Sequence, residues 1–178
     1  MKNLDLNELF IDELEDMLSC ENQIVQALPK IIKSVSSPDL KQALSKHLKE
    51  TENQVGRLER IFSLLGLRSQ EKTCEGMEGI LAEGDELIKN KAKSPVLDAA
   101  IIGAAQKVEH YEISSYGTLR SYAEHLGFDD EIIDLIQENL DEEGAADKKL
   151  TKLAEGTIFT SGVNTEAAEM ENTRKSKR

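Results

Sequence analysis

Apolar residues recur along this chain at alternating steps of three and four. Phe10, Leu14, Met17, Glu21, Ile24, Leu28 and Ile31 form one such stripe. This heptad-like seam predicts a bundle helix over about residues 6–33. Pro29 falls inside the pattern, where a missing N–H is expected to kink or shorten the last turns. Ser37-Pro38-Asp39 then spells a helix start: a capping hydroxyl, a proline at the first helical position and an acid in the first turn. The second stripe is Leu40, Leu44, His47, Thr51, Gln54, Leu58, Ile61 and Leu65, with Glu50 on its border. Gly66 follows as a C-terminal stop.

Residues 67–94 lose the long period. A short apolar patch (Met77, Ile80, Leu81, Leu87, Ile88), weakened by three glycines, predicts a crossover with one short helix. Ser94-Pro95 repeats the cap-plus-proline start, and a third long helix is expected to His125, just before Gly127. Asp129 or Asp130 caps a fourth, which runs to about Leu153 on Ile132/Ile133, Ile136, Leu140, Glu143, Asp147 and Leu150. Beyond Glu155 the periodicity ends. The expected organisation is a helical domain over 1–154 and a polar, flexible tail over 155–178, with Ile158 and Phe159 anchoring its start. Two long hairpins joined by a long connection make an all-α, four-helix bundle with one crossover.

Composition agrees with a folded, water-soluble chain: 178 residues, 39% hydrophobic and 31% charged. A net charge of −12 argues against binding nucleic acid or an anionic membrane, both of which need cationic contacts. The basic residues Arg174, Lys175, Lys177 and Arg178 are read as a solvated end. No apolar run approaches membrane-spanning length, and the N-terminus lacks a signal-peptide core. A cytoplasmic setting is expected. Cys20 and Cys74 have no metal-binding spacing. Cys20 reads as a small packing residue, and Cys74 as a half-exposed thiol near a helix start, where a thiolate is stabilised.

The acids change this picture. Glu21, Glu50, the pair Glu109/Glu112 and the pair Glu143/Asp147 fall on or beside the stripes of four different helices. Carboxylates at core positions are costly unless paired, protonated or bound to a cation. Counting from the turns sets them level. Glu21 lies 15 residues before Ser36 and Glu50 lies 14 after it; Glu109 lies 18 before Gly127 and Glu143 lies 16 after it. Gln54, Glu112 and Asp147 share faces with Glu50, Glu109 and Glu143. Such an oxygen-rich set suits iron or manganese, with Glu21, Glu50, Gln54, Glu109, Glu112, Glu143 and Asp147 as candidate ligands. His47, one turn from Glu50, reads either as a ligand or as a hydrogen-bonded core residue. Tyr116, one turn beyond Glu112, reads either as a packing or interface residue or as a hydrogen-bond partner of a metal-bound oxygen. The plain alternative is that acids at stripe edges reach solvent.

The strings LFIDELEDML, ENQIVQALPKI, LKETENQVGRLERIF, AAQKVEHYEISSYGTLR and LDEEGAADKKLTKLA resemble the bacterial ferritin-like stress proteins of the DUF892 family, typified by YciF and YciE. The likeness covers about residues 4–154. It implies a ferritin-like bundle, a homodimer and a dinuclear metal centre carried by the same acids. One departure stands out. Where many ferritin-like proteins have Glu-x-x-His, Glu50 is followed by Asn53 and Glu143 by Ala146. The resulting expectation is a stress-response protein with a carboxylate-rich iron or manganese pair, acting on dioxygen or a peroxide. The competing expectation is a metal-free bundle that serves as a stress-induced scaffold or partner-binding protein.

Overall fold

In the computed structural model, which describes residues 4–70, 72–157 and 160–175, four long helices form the bundle. They are α1 (Leu6–Ser34), α2 (Pro38–Leu64), α4 (Pro95–Leu126) and α5 (Asp130–Glu155). The ends follow from local chemistry. Asp5 caps α1 by accepting from the Glu8 N–H at 2.8 Å. Ser37 and Ser94 cap α2 and α4 through the Leu40 and Leu97 N–H groups, with proline at the first position of each. Gly127 closes α4 at φ 69°, a left-handed conformation that a side chain would strain. Asp129 starts α5 without a side-chain cap bond. Pro29 does not end α1: the helix continues through it to Ser34, with the proline on the exposed side.

The stripes read from the sequence are the buried faces. Helix α1 buries Phe10, Leu14, Met17, Cys20, Ile24 and Leu28, and α2 buries Leu40, Leu44, Leu58, Ile61 and Phe62. Helix α1 packs on α2 and α4, and α5 packs on α2 and α4. This is a ferritin-like bundle of two hairpins.

The crossover carries α3 (Glu75–Ile88), which lies across α1 and α4 and buries Met77 and Ile88. Lys30–Asp85 (2.6 Å) and Lys107–Glu83 (2.8 Å) tie its exposed side to those helices. A buried acid links the two hairpins. Asp98, in the first turn of α4 and 1% exposed, accepts from the Ser36 N–H (2.9 Å), the Ser36 hydroxyl (2.5 Å) and the Ser37 N–H (2.8 Å). It thereby holds the α1–α2 turn in place.

After α5 the chain makes a two-residue antiparallel pair, β1 (Gly156–Thr157) with β2 (Thr160–Ser161). A Cβ on Gly156 would come within 2.5 Å of the Thr160 carbonyl, so this reversal needs glycine. Ile158 and Phe159, expected to anchor the segment, lie outside the described residues. Residues Val163–Lys175 form α6, which packs on α4 and α5 and buries Val163. Its apolar residues are too sparse to mark a helix in advance. Among the described residues, no helix is long and apolar enough to cross a membrane.

Candidate metal centre

Each bundle helix brings a polar residue to the same buried depth. From α1 comes Glu21, between Met17 and Ile24. From α2 come His47 and Gln54, two turns apart. From α4 come Glu109 and Glu112 on one face, with Tyr116 a turn beyond. From α5 comes Glu143. Glu21, Gln54, Glu112, Tyr116 and Glu143 are fully buried, and His47 and Glu109 nearly so. One ligand atom from each of His47, Glu109, Glu112 and Glu143 lies within 4.8 Å of the others.

Part of this cluster is held by hydrogen bonds. The Tyr116 hydroxyl donates to Glu21 Oε1. Gln54 Nε2 donates to Glu143 Oε1 and, at 3.1 Å, to Glu142 Oε2. Arg57 supports this side from outside, donating to Glu142 Oε2 (2.8 Å) and to Asn139 Oδ1 (2.9 Å). The remaining half is unsatisfied. Glu21 Oε2, Glu109 Oε2, both oxygens of Glu112, Glu143 Oε2 and His47 Nε2 have no hydrogen-bond partner among the described residues. Buried polar atoms in native proteins are rarely orphaned, and a cluster of them calls for an ion or another explanation.

The electrostatics follow from the geometry. Burial pushes the carboxyls of Glu21, Glu109 and Glu112 well above the ordinary carboxylate range. The nearby charge of Glu143 raises both Glu21 and Glu109 further. The charges of Glu21, Glu143 and Glu109 act together on Glu112. Burial likewise raises Tyr116, so its phenol stays a donor. Without cations, burial and mutual repulsion favour the protonated forms of Glu21, Glu109 and Glu112.

Of the seven residues predicted from sequence, the structure brings five together: Glu21, Gln54, Glu109, Glu112 and Glu143. Glu50 instead turns outward to an ion pair with Lys46. Asp147 accepts from Gln106 Nε2 at 2.9 Å and pairs with the exposed His110 at 3.3 Å. Four residues advance roughly 40° around a helix, enough for a short aspartate beyond Glu143 to be captured at the α4–α5 seam. His47, left open by the sequence, is the nitrogen of the cluster. Its place on the α2 stripe is the signal for it in the sequence, although it lies outside any Glu-x-x-His spacing.

Among the described residues, a groove and a small cavity both touch the site. A groove of about 790 Å³ between α2 and α5, lined by Gln42, Lys46, Glu50, Ala146 and Lys149, also includes His47 and Glu109 in its wall. An apolar cavity of about 40 Å³ under α3, walled by Ile24, Leu44, Ile80 and Val108, touches the same two residues.

The profile of the DUF892 family, described as a domain of unknown function, matches residues 5–168. Protein YciF of Escherichia coli K12 is 44% identical over 150 residues, covering 84% of this chain and 90% of YciF. The crystal structure of that stress protein superposes with a TM-score of 0.80, at 43% identity over 86% of this chain and 95% of the other. The protein YcfI of Rhodopseudomonas palustris gives 0.81 at 43% identity, over 85% and 96%. A protein of Xanthomonas campestris shares the fold at 18% identity with a TM-score of 0.69, over 98% and 100%.

Proposed function

Starting from the fact that this chain belongs to the DUF892 family of YciF-like proteins, we propose that its buried cluster is a dinuclear iron or manganese centre that serves a stress response. The observation that carries the reading is Glu112: a fully buried carboxylate with both oxygens unpartnered, facing other acids and an imidazole. Isolated buried charge of this kind is strongly disfavoured. The four buried glutamates, if ionised, carry the charge that two divalent cations would balance. The donor set of carboxylates and one imidazole suits iron or manganese better than thiophilic metals.

In this reading His47, Glu109, Glu112 and Glu143 hold the metal, with Glu21 beside them. The bound metal would supply redox chemistry toward dioxygen or a peroxide. The chain's own residues do the rest. Tyr116 orients Glu21, Gln54 orients Glu143, and Arg57 fixes Glu142 behind Gln54. Such outer contacts set the direction and basicity of ligands. The apolar residues of α1 and α4 exclude water, and the α2–α5 groove admits a small oxidant. The reading further takes the chain to be a cytoplasmic homodimer.

Metal analysis after anaerobic reconstitution with iron or manganese is the test. Two equivalents are expected from the wild type and fewer from Glu112→Gln. A wild-type content below about 0.2 equivalents with metal in excess would overturn the reading.

One observation favours a second reading. Glu21 lies beside Glu112, and Glu109 beside Glu143, near enough to raise each other's affinity for protons, and protons shared within each pair would stabilise the cluster without metal. A metal-free scaffold built this way would gain stability when Glu112 is replaced by an apolar residue of similar size.

A further inference from the structure

Ser19 and Gln23 bracket Cys20 on α1, and both grip the backbone of Cys74. The Cys74 N–H donates to Ser19 Oγ at 3.0 Å. Gln23 Nε2 donates to the Cys74 carbonyl at 3.1 Å and to Ser19 Oγ at 3.3 Å. These bonds lay Cys74, the residue at the N-cap of α3, across the turn of α1 that carries Cys20. Both thiols are buried, and the contacts of Ser19 and Gln23 with the Cys74 backbone set Cys74 beside Cys20, near enough for each thiol to influence the other. The half-exposed Cys74 expected from sequence is thus corrected: docking of the α3 start onto α1 covers it.

The surroundings are built around this pair. Cys74 Sγ lies 3.1 Å from the Tyr111 hydroxyl, which donates to Asp16 Oδ2 at 3.2 Å. Gly76 makes room for that tyrosine, because a Cβ there would stand 2.8 Å from Tyr111 Cε2. The neighbouring Cys20 thiol draws the Cys74 thiol below its ordinary range. The cover over Cys74 is thin, since Thr73, Glu75 and Gly76 are exposed. A local opening there would admit a small reagent.

We propose that Cys20 and Cys74 form a redox-active dithiol that closes to a disulfide, with a hydroperoxide as its oxidant. The Cys74 sulfur attacks a peroxide oxygen. An S–O bond forms, the O–O bond breaks, and the other oxygen leaves with the Cys74 proton as an alcohol, or as water from hydrogen peroxide. The Cys20 sulfur then displaces the sulfenic hydroxyl. The S–S bond forms, the S–O bond breaks, and water leaves with the Cys20 proton. Two thiols lose two electrons and the peroxide gains them. The product clasps α1 to the start of α3. No metal takes part, so this pair stands or falls separately from the carboxylate centre.

The chain has two cysteines, which makes the test direct. Chelator-stripped wild type is treated with stoichiometric hydrogen peroxide under native conditions. The expected result is a loss of about 2 Da, disappearance of both alkylatable thiols, a Cys20–Cys74 peptide on mapping, and reversal by dithiothreitol. Closure in the folded chain should exceed that of the urea-unfolded chain by at least about tenfold, because the fold holds the sulfurs together. Cys20→Ser should stop at a sulfenic acid on Cys74. Retention of both thiols, oxygen addition without loss of 2 Da, linkage only between chains, or equal rates folded and unfolded would each overturn the proposal.

Discussion

His47 Nε2 on α2 and Glu109 Oε1 on α4 stand 3.5 Å apart, both buried, with no hydrogen bond to join them. A separation of this kind between two good donors to a cation is what a shared ion would explain. Replacing His47 with Ala is expected to weaken metal binding by on the order of 10–100-fold while leaving the helical content intact. Titration calorimetry with manganese and far-ultraviolet circular dichroism check the two halves of this statement. Unchanged affinity would remove His47 from the site.

Glu50 and Glu143 separate the predicted acids from the gathered ones. Glu50 is paired with Lys46 at the groove, whereas Glu143 sits inside the cluster. Glu50→Gln should therefore bind metal like the wild type, and its stability should change by less than about 1 kcal/mol, as for exposed ion pairs. Glu143→Gln should lose at least one metal equivalent. Equal loss in both variants would mean that Glu50 swings inward.

Stability should depend on pH in an unusual direction once metal is stripped. Folded Glu21, Glu109 and Glu112 keep protons well above the ordinary value of 4.5. Above that value the unfolded chain releases them while the folded chain retains them. Their contribution is therefore fully present at or below about pH 4.5 and is lost as pH rises through the folded values. Thermal melts of chelator-treated protein should show Tm falling as the pH is raised above the ordinary carboxyl value of 4.5. Metal should flatten or reverse the trend, because ligation favours the deprotonated carboxylates. A rising Tm in the stripped protein would contradict this.

Asp98 carries a structural load of its own. Asp98→Ala orphans two backbone N–H groups and a hydroxyl at the α1–α2 turn. The expected cost is about 3 kcal/mol, read as a lower urea midpoint at constant slope. A change below about 1 kcal/mol would show that water replaces the carboxylate.

Gly76→Ala should be destabilising by about 1–2 kcal/mol, since the new methyl group collides with the ring of Tyr111, which its bonds to Asp16 and Cys74 hold in place. Pairing the change with Tyr111→Phe in a double-mutant cycle would locate the strain in that contact.

Local chemistry was enough to place the helices and set their acids level. Periodicity, caps and glycine stops act over three or four residues, so Phe10 to Leu28, Ser37-Pro38 and Gly127 can be read in isolation. Antiparallel hairpins then bring Glu21 level with α2, and Glu109 level with Glu143, by length alone. What remained for the tertiary structure was the direction of side chains at stripe borders. Glu50 and Asp147 point away because Lys46 and Gln106 offer partners there, while His47 turns inward toward Glu109. Helix α6 is not legible in the sequence because its packing depends on α4 and α5 rather than on an apolar period of its own. The meeting of Cys20 with Cys74 was invisible for the same reason: it depends on the Ser19 and Gln23 contacts that dock one helix start onto another, and no spacing along a single helix encodes them.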